Sequence, residues 1–211
     1  MYTRIQICNR ALAKIGHFSI MSLDDASDTA VILNSMYDVV RDAELSANRW
    51  GFALARALLP ALEEGPAFGF ARKYPLPVDC LRLVEVGHVW PVDSRADYRF
   101  GPDSPWEVEG GAVLCNLPAP LAVRYIRREE NPERYPAAFI EALACKLAIE
   151  ICPRIAGKNS AKESLWQEYK FAVAEARRVN AIQKAPQRLQ DGAWMLARAG
   201  SFGSLDGGRH G

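Results

Sequence analysis

Hydrophobic positions near the start of the chain recur at helical spacing and predict two helices. The first helix contains Ile5, Cys8, Leu12 and Ile15, which lie three or four residues apart, and Gly16 follows as a C-terminal stop. The stretch SLDDASDTA, rich in Ser and Asp, then suits the N-terminus of a second helix. The apolar positions of that helix recur at intervals of three and four: Leu33, Met36, Val40, Ala43, Ala47 and Trp50. This stripe predicts a helix of about 24 residues whose single apolar seam lies against a partner helix, within or between chains.

From residue 72 to residue 127 the pattern changes to short apolar runs, which predict a small antiparallel sheet of four or five strands. Two prolines in RKYPLPVDCLRLVEV forbid a helix, and a strand begins near Leu81. Another strand is expected in LAVRYIR, where the side chains alternate between two faces. One face carries Leu121, Val123 and Tyr125, and the other carries Ala122, Arg124 and Ile126.

The stretch WEVEGGAVLCN predicts a β-hairpin with Gly110–Gly111 as its two-residue turn. In that register Glu109 faces Ala112. Trp106 then pairs with Cys115, and Val108 pairs with Val113.

Residues 135–185 return to helical periodicity. AAFIEALACKLAIEI is apolar nearly all round and predicts a buried central helix, which Pro153 kinks or ends. A further helix with Leu165, Tyr169, Ala172, Ala176 and Val179 on one side stops ahead of Pro186. The predicted fold is therefore α+β and mainly α: a bundle of about four helices, an inserted small antiparallel sheet and an extended C-terminal tail. Its segments are 1–70 (helices), 71–130 (β insertion), 131–185 (helices) and 186–211 (tail).

Composition limits the classes of function. The chain has 211 residues, of which 49% are hydrophobic, and 26 Lys and Arg residues balance 25 Asp and Glu residues. This near-neutral balance disfavours a DNA-binding regulator that uses the N-terminal helices. The N-terminus lacks the apolar core of a signal peptide, and no stretch approaches the roughly 20 apolar residues that span a bilayer. We therefore expect a soluble protein, made in a cytoplasm, with no membrane partner.

Residues with catalytic or metal-binding chemistry are scattered. Five cysteines without a CxxC pair indicate buried thiols, and three distant histidines (His17, His88 and His210) argue against a triad or metal cluster. Glu107 and Glu109 share a face of the hairpin at about 7 Å, a spacing that a glycosidase could use, although charged residues on a wet strand face give the same pattern. The sequence therefore predicts no enzyme activity, no catalytic or metal site and no cofactor, with a polysaccharide or cell-wall hydrolase as the alternative.

The C-terminal tail combines features that conflict in an isolated chain. It carries five glycines after residue 199, yet also Trp194, Met195, Leu196 and Phe202. Free disordered termini are usually poor in such residues. We expect these side chains to be anchors that become ordered in pockets of another subunit, although the tail could also pack on its own helices.

Several segments, taken in order, resemble one family. They are NRALAKIG, SLDD, NRWGFALARALLPAL, FGFARKYPLPVDCLRLVEV, WEVEGGAVLCNLPAPLAVRYIRR and FIEALACKLAIEICPRIAG. Together they resemble the tail tubular protein A family of short-tailed bacteriophages, also called head-to-tail adaptors, connectors or gatekeepers. The resemblance covers roughly residues 4–182, and its most specific pieces are YPLPVDCLR, RWGFALAR and the hairpin block.

The resemblance implies a structural virion protein of the phage neck, assembled in the host cytoplasm. It implies a ring, usually of twelve copies, between the portal and the tail nozzle (a tail tubular protein B-like partner), with the genome DNA passing through its lumen. The helices would form the ring body, the β insertion would face the tail side, and the C-terminal segment would reach the portal. Trp194, Met195, Leu196, Arg198 and Phe202 would then dock on the portal. Independently of the resemblance, Arg124, Arg127, Arg128 and Arg134 form a basic cluster near the end of the last strand, which is either a solvated rim or a contact with DNA or an acidic partner face. In a ring, Arg124, Arg127 and Arg128 could face the channel, a neighbouring subunit or bulk water.

Overall fold

The computed structural model describes residues 2–87, 106–155 and 160–183, and these ranges form four α-helices and six β-strands. The helices are α1 (Arg4–Lys14), α2 (Asp28–Ala47), α3 (Ala137–Ile155) and α4 (Ser160–Ile182). The strands are β1 (Leu54–Leu59), β2 (Arg72–Pro75), β3 (Cys80–Val86), β4 (Trp106–Glu109), β5 (Ala112–Cys115) and β6 (Leu121–Arg127). The predicted class is confirmed: α+β, mainly α, with the strands between two pairs of helices.

Local capping signals mark the start of α1, the end of α1 and the start of α2. Thr3 and Gln6 form a reciprocal capping box at the start of α1, and Gly16 follows its end with φ +70°. Ser27 caps α2 by accepting a hydrogen bond from the backbone N–H of Ala30. At its C-terminal end, α3 continues past Pro153 to Ile155.

The predicted apolar stripe of α2 is wrong in part. Leu33 and Val40 are buried as expected, but Ala43 and Ala47 are exposed. The buried face turns instead toward residues that include Tyr37, Arg41 and Glu44, and α2 ends at Ala47. Hydrophobic periodicity did not find this face because two of its buried positions, Arg41 and Glu44, are charged; their partners include Asp38 of the same helix and Tyr169 of α4.

The strands form two three-stranded antiparallel sheets, where the sequence predicted one. The first has the order β1-β6-β3 and the second has the order β2-β5-β4. The predicted hairpin is confirmed: β4 and β5 pair with Trp106 opposite Cys115, and Gly110 and Gly111 both have positive φ. β1 was not predicted, because its sequence LARALL consists of helix-favouring residues and pairing with β6 overrides that preference.

β6 is the structural boundary between the helices and the second sheet. Leu121, Val123 and Tyr125, on one face, belong to a small core between the two sheets. Ile126, on the other face, belongs to the large core of the helices. The alternation predicted for this strand is therefore confirmed, and its two faces serve two separate cores.

α3 is the central helix of the large core, as its sequence predicts. Buried residues lie on all sides of it, among them Phe139, Leu143 and Leu147. α1, α2 and α4 all contact α3, and Ile126 of β6 packs into the same core. None of the helices that the structure describes combines the length and the apolar character that crossing a bilayer requires.

Candidate functional site

The predicted portal anchors lie beyond the described part of the chain. Trp194, Met195, Leu196, Arg198 and Phe202 follow Gln183, the last residue that the structure describes, so their role stays a prediction. What the structure does describe is the end of α4 from which this segment continues. The contacts of that helix end therefore determine where the tail starts.

The C-terminal half of α4 is fixed to the turn that follows α2. The side-chain oxygen of Asn180 accepts a hydrogen bond from the backbone N–H of Gly51 at 2.7 Å, and its amide nitrogen donates to the carbonyl of Arg49 at 3.0 Å. One turn earlier, Arg177 Nε donates to Asn48 Oδ1 at 2.6 Å. The segment NRWG, part of the motif that carries the family resemblance, thus holds the helix that leads to the tail.

Trp50 anchors this segment in the core. Its ring is 1% exposed, and its Nε1 donates to the backbone carbonyl of Glu44 at 2.9 Å. The Trp50 ring packs edge-on against Phe139 of α3 with ring centroids 5.1 Å apart. Phe52 and Tyr135 also pack on Phe139. Because aromatic pairs in such geometry add stability beyond their buried area, this cluster holds the end of α2 rigidly on α3.

A buried carboxylate joins α2 to α4. Glu44, 2% exposed, accepts hydrogen bonds from Tyr169 Oη at 2.7 Å and from Asn48 Nδ2 at 3.2 Å. Burial raises the pKa of Glu44 above its usual value, although Tyr169 and the cations Lys146 and Arg177 act in the opposite direction. Because the pKa of Glu44 is raised overall, the loss of solvation outweighs the effect of these partners.

Arg124, one of the three arginines predicted to face the channel or a neighbour, lies in an ion-pair row on the first sheet. Its Nη1 donates to Glu85 Oε2 at 2.6 Å, across the β3–β6 pairing. Arg49 donates to the other oxygen of Glu85 at 2.5 Å. The NRWG segment is therefore linked through Glu85 to both β3 and β6.

Arg127 contributes to a carboxylate site just after β6. Glu129 is buried and accepts from Arg127, from Arg134 at 3.1 Å and from the backbone N–H of Asn131 at 3.2 Å. Burial alone would raise the pKa of Glu129, but these donors outweigh it and hold the pKa below its usual value. These contacts fix the segment that connects β6 to α3.

Arg128 ties the end of β6 to α2. Its Nε donates to Asp42 at 2.8 Å, and Asp42 also accepts from the buried Arg41. Arg41 reaches Asp38 at 2.8 Å, and Asp38 accepts from Arg4 of α1 at 3.3 Å. A continuous row of alternating charges therefore runs from α1 across α2 to β6.

The three arginines are therefore all engaged within the chain, yet they remain partly exposed: 27% for Arg124, 32% for Arg127 and 42% for Arg128. These exposed fractions leave room for a partner to contact them. An open groove of about 570 Å³ adjoins Arg128. It is lined by side chains of both charges together with Val78, which is 100% exposed.

The residues considered for catalysis lie apart from these networks. Glu107 and Glu109 are exposed on β4, an edge strand of the second sheet. Cys8, Cys115, Cys145 and Cys152 are buried. His88 and His210 lie outside the described ranges, whereas His17 lies in the loop after α1. In residues 2–87, 106–155 and 160–183, no group of three or more His, Cys, Asp or Glu side chains could hold a metal ion.

Sequence reasoning missed the roles of Glu44, Asn48 and Asn180. Asn48 precedes the RWGFALAR motif, but its partner Arg177 lies 129 residues away, so spacing along the chain gives no signal of the contact. For Glu44 the sequence did contain a signal. It follows Leu33, Tyr37 and Val40 at intervals of three and four residues, and a charged residue at such a position of a helix indicates a buried polar group.

Comparison with protein-family models finds no match for this chain. Comparison with curated proteins likewise finds no match.

Proposed function

We propose that this chain is a structural subunit of a phage head-to-tail adaptor ring, without enzyme activity or cofactor. The observation that carries the proposal is the position of the six strands between two helix pairs, which is the architecture that the ordered motifs imply. Those motifs also include the residues that join the parts of the fold, such as Asn48–Gly51 and Tyr74–Arg82.

The distribution of contacts supports a connector that has different partners at its two ends. The helices form one large core, and the second sheet lies on the other side of β6. In the proposed ring the helices form the body, and the sheets contact the nozzle protein. The tail from residue 186 docks on the portal through Trp194, Met195, Leu196, Arg198 and Phe202. Arg124, Arg127 and Arg128 face the channel or a neighbouring subunit.

The anchoring of α4 supports a tail that works as a docking arm. Because Asn180 and Arg177 fix the last turns of α4, the tail starts from a defined point on the body. Ordering about 20 residues costs backbone entropy of order 1 kcal/mol or more each, so a large interface or many tails bound together must offset it. A ring of identical subunits, usually twelve in this family, supplies such multiple attachment.

Portal binding tests the proposal directly. The purified chain is mixed with the portal ring of the same phage, and complexes are examined by sedimentation and negative-stain microscopy, where we expect stacked rings. Trp194→Ala should weaken binding by about 30-fold or more, since buried aromatic anchors contribute about 2 kcal/mol or more. Trp106→Ala, at an exposed strand edge, is the matched control and should bind as the native chain does. Persistent monomers that ignore the portal would contradict the proposal.

A further inference from the structure

α2 presents an exposed uncharged ridge on the side opposite its buried face. Every fourth residue from position 31 belongs to it: Val31, Ser35, Val39, Ala43 and Ala47. Val31 is 60% exposed and Val39 is 64% exposed. The outward face of a surface helix normally carries charged residues, so this α2 ridge is unusual for a face that meets only water.

The outward face of α4 differs in composition. Phe171 is 77% exposed and Ile182 is 71% exposed, and the exposed Ala174 and Arg178 lie between them along the helix. Arg178 pairs with Glu175 at 2.7 Å within the same helix. α4 thus offers two large apolar side chains on a face that also carries cations.

The charges of the two faces favour pairing of one with the other. Of the four acidic residues of α2, Glu44 is buried, and Asp38 and Asp42 pair with the buried Arg41 of the same helix. Arg4 and Arg128 neutralise two of these carboxylates, but Asp28 makes no ion pair with the described residues. Residues 169–182 of α4 contain three basic residues and one acidic residue. Pairing of α2 with α4 therefore brings the Asp28 carboxylate to a helix segment in which cations outnumber carboxylates.

We propose that the α2 ridge of one copy packs against the outward face of α4 in the next copy, around Phe171 and Ile182. This inference rests on the proposed ring and names the surfaces that build it. The small side chains Ser35 and Ala43 allow close approach of a second helix, and a ridge of every fourth residue is the commonest one in helix packing. Since the two surfaces differ, a row of joined copies has one free surface of each kind at its ends. Further copies can therefore add until the two ends meet and the ring closes.

Mixing two defective variants distinguishes this arrangement from a symmetric one. Val39→Glu blocks the α2 ridge, and Phe171→Glu blocks the α4 face, so each variant alone should remain monomeric under conditions where the native chain assembles. An equimolar mixture retains one intact pair of surfaces and should give a 1:1 dimer, twice the chain mass of 23.4 kDa, but no larger species. Val78→Glu and Phe68→Glu change fully or nearly fully exposed apolar residues elsewhere and should assemble as the native chain does. Circular dichroism confirms that each variant is folded.

A cysteine experiment covers the case in which the native chain alone stays monomeric in dilute solution. Val39→Cys and Phe171→Cys variants are mixed at high concentration and oxidised, and we expect a covalent dimer that contains one of each. The native chain, whose buried cysteines include Cys8 and Cys145, is the control. Absence of both the mixed dimer and the crosslink would overturn the inference, as would assembly of Val39→Glu alone.

Portal binding, measured separately, tells the two failures apart. If rings form through these faces but ignore the portal, the interface is supported and the adaptor function is not. If monomers bind the portal with Val39→Glu as well as with the native sequence, and no α2–α4 crosslink forms on the portal, the adaptor function is supported and this interface is overturned.

Discussion

The helical body and the pair of sheets differ in how much core each holds. Of the residues that the structure describes, 25 buried residues form the core around α3, whereas eight form the core between the sheets. The larger core includes Trp50, Tyr37 and Phe139, and the smaller one depends on β6, which both cores share. Because buried apolar area dominates folding stability, the helices form the stable frame and the sheets depend on it.

The largest expected effect is in the helical core. Trp50→Ala should lower the free energy of unfolding by about 3–5 kcal/mol, because it leaves a cavity against Phe139 and removes the donor to the Glu44 carbonyl. Chemical denaturation followed by circular dichroism measures the change. Trp106→Ala, the same substitution at a side chain that is 39% exposed, should cost less than about 1 kcal/mol. An equal loss of the free energy of unfolding in the two variants would contradict the view that the helical core is the stable frame.

The next largest effect is expected between the sheets. Val113 is fully buried, and Val113→Ala should lower the free energy of unfolding by about 2 kcal/mol, from about 0.8 kcal/mol per lost methyl group plus the cavity. Its register partner Val108 is 46% exposed and is the matched control, with an expected cost below about 0.5 kcal/mol. If the sheets depend on the helices, hydrogen exchange in Val113→Ala should rise in β4 and β5 and stay unchanged in α3.

Two buried carboxylates should respond to pH in opposite directions. The pKa of Glu129 is below its usual 4.5, so the native state holds this proton more weakly than the unfolded chain. The contribution of Glu129 to the free energy of unfolding is therefore present above pH 4.5 and is lost as the pH falls through the pKa of the folded state. Glu129→Gln should therefore cost about 1–2 kcal/mol at pH 7, and this cost should shrink below pH 4.5.

The pKa of Glu44 is above 4.5, so its contribution is present below pH 4.5 and is lost as the pH rises through the folded pKa. Glu44→Gln should be neutral or stabilising by up to about 1 kcal/mol at pH 7, and the variant should converge on the native protein in acid. Denaturation series at pH 4, 5.5 and 7 for both variants check these signs. A cost for Glu44→Gln that grows with pH would contradict the burial argument.

The smallest expected effect is at an ion pair that connects the two regions. Arg128→Gln removes the partly exposed contact between β6 and Asp42 of α2 and should cost about 0.5 kcal/mol at low salt. The difference from the native chain should nearly vanish in 1 M salt, where charges are screened within about 3 Å. A cost that persists at high salt would mean that Arg128 contributes by packing.

Much of this fold can be predicted from the sequence where the determinants are local. The Gly110–Gly111 turn fixes the hairpin register, and the all-round apolar sequence of α3 identifies the central helix. The pairing of β1 with β6 could not be predicted in this way, since Leu54 and Ile126 meet only through the tertiary fold. The contacts of Asn180 with the NRWG segment are equally nonlocal, and the predicted portal anchors lie outside the described residues.

Because the two faces of β6 pack into different cores, insertions and deletions within this strand should not be tolerated. Inserting or deleting one residue within β6 would exchange its faces, and Arg124 would turn into the small sheet core while Leu121 or Val123 turned away from it. Neither core could then pack, so selection should remove in-frame insertions and deletions in β6 even at positions where point substitutions are tolerated. The loop between β1 and β2, whose Phe68 is 88% exposed, has no such constraint, and differences in length among variants should accumulate there.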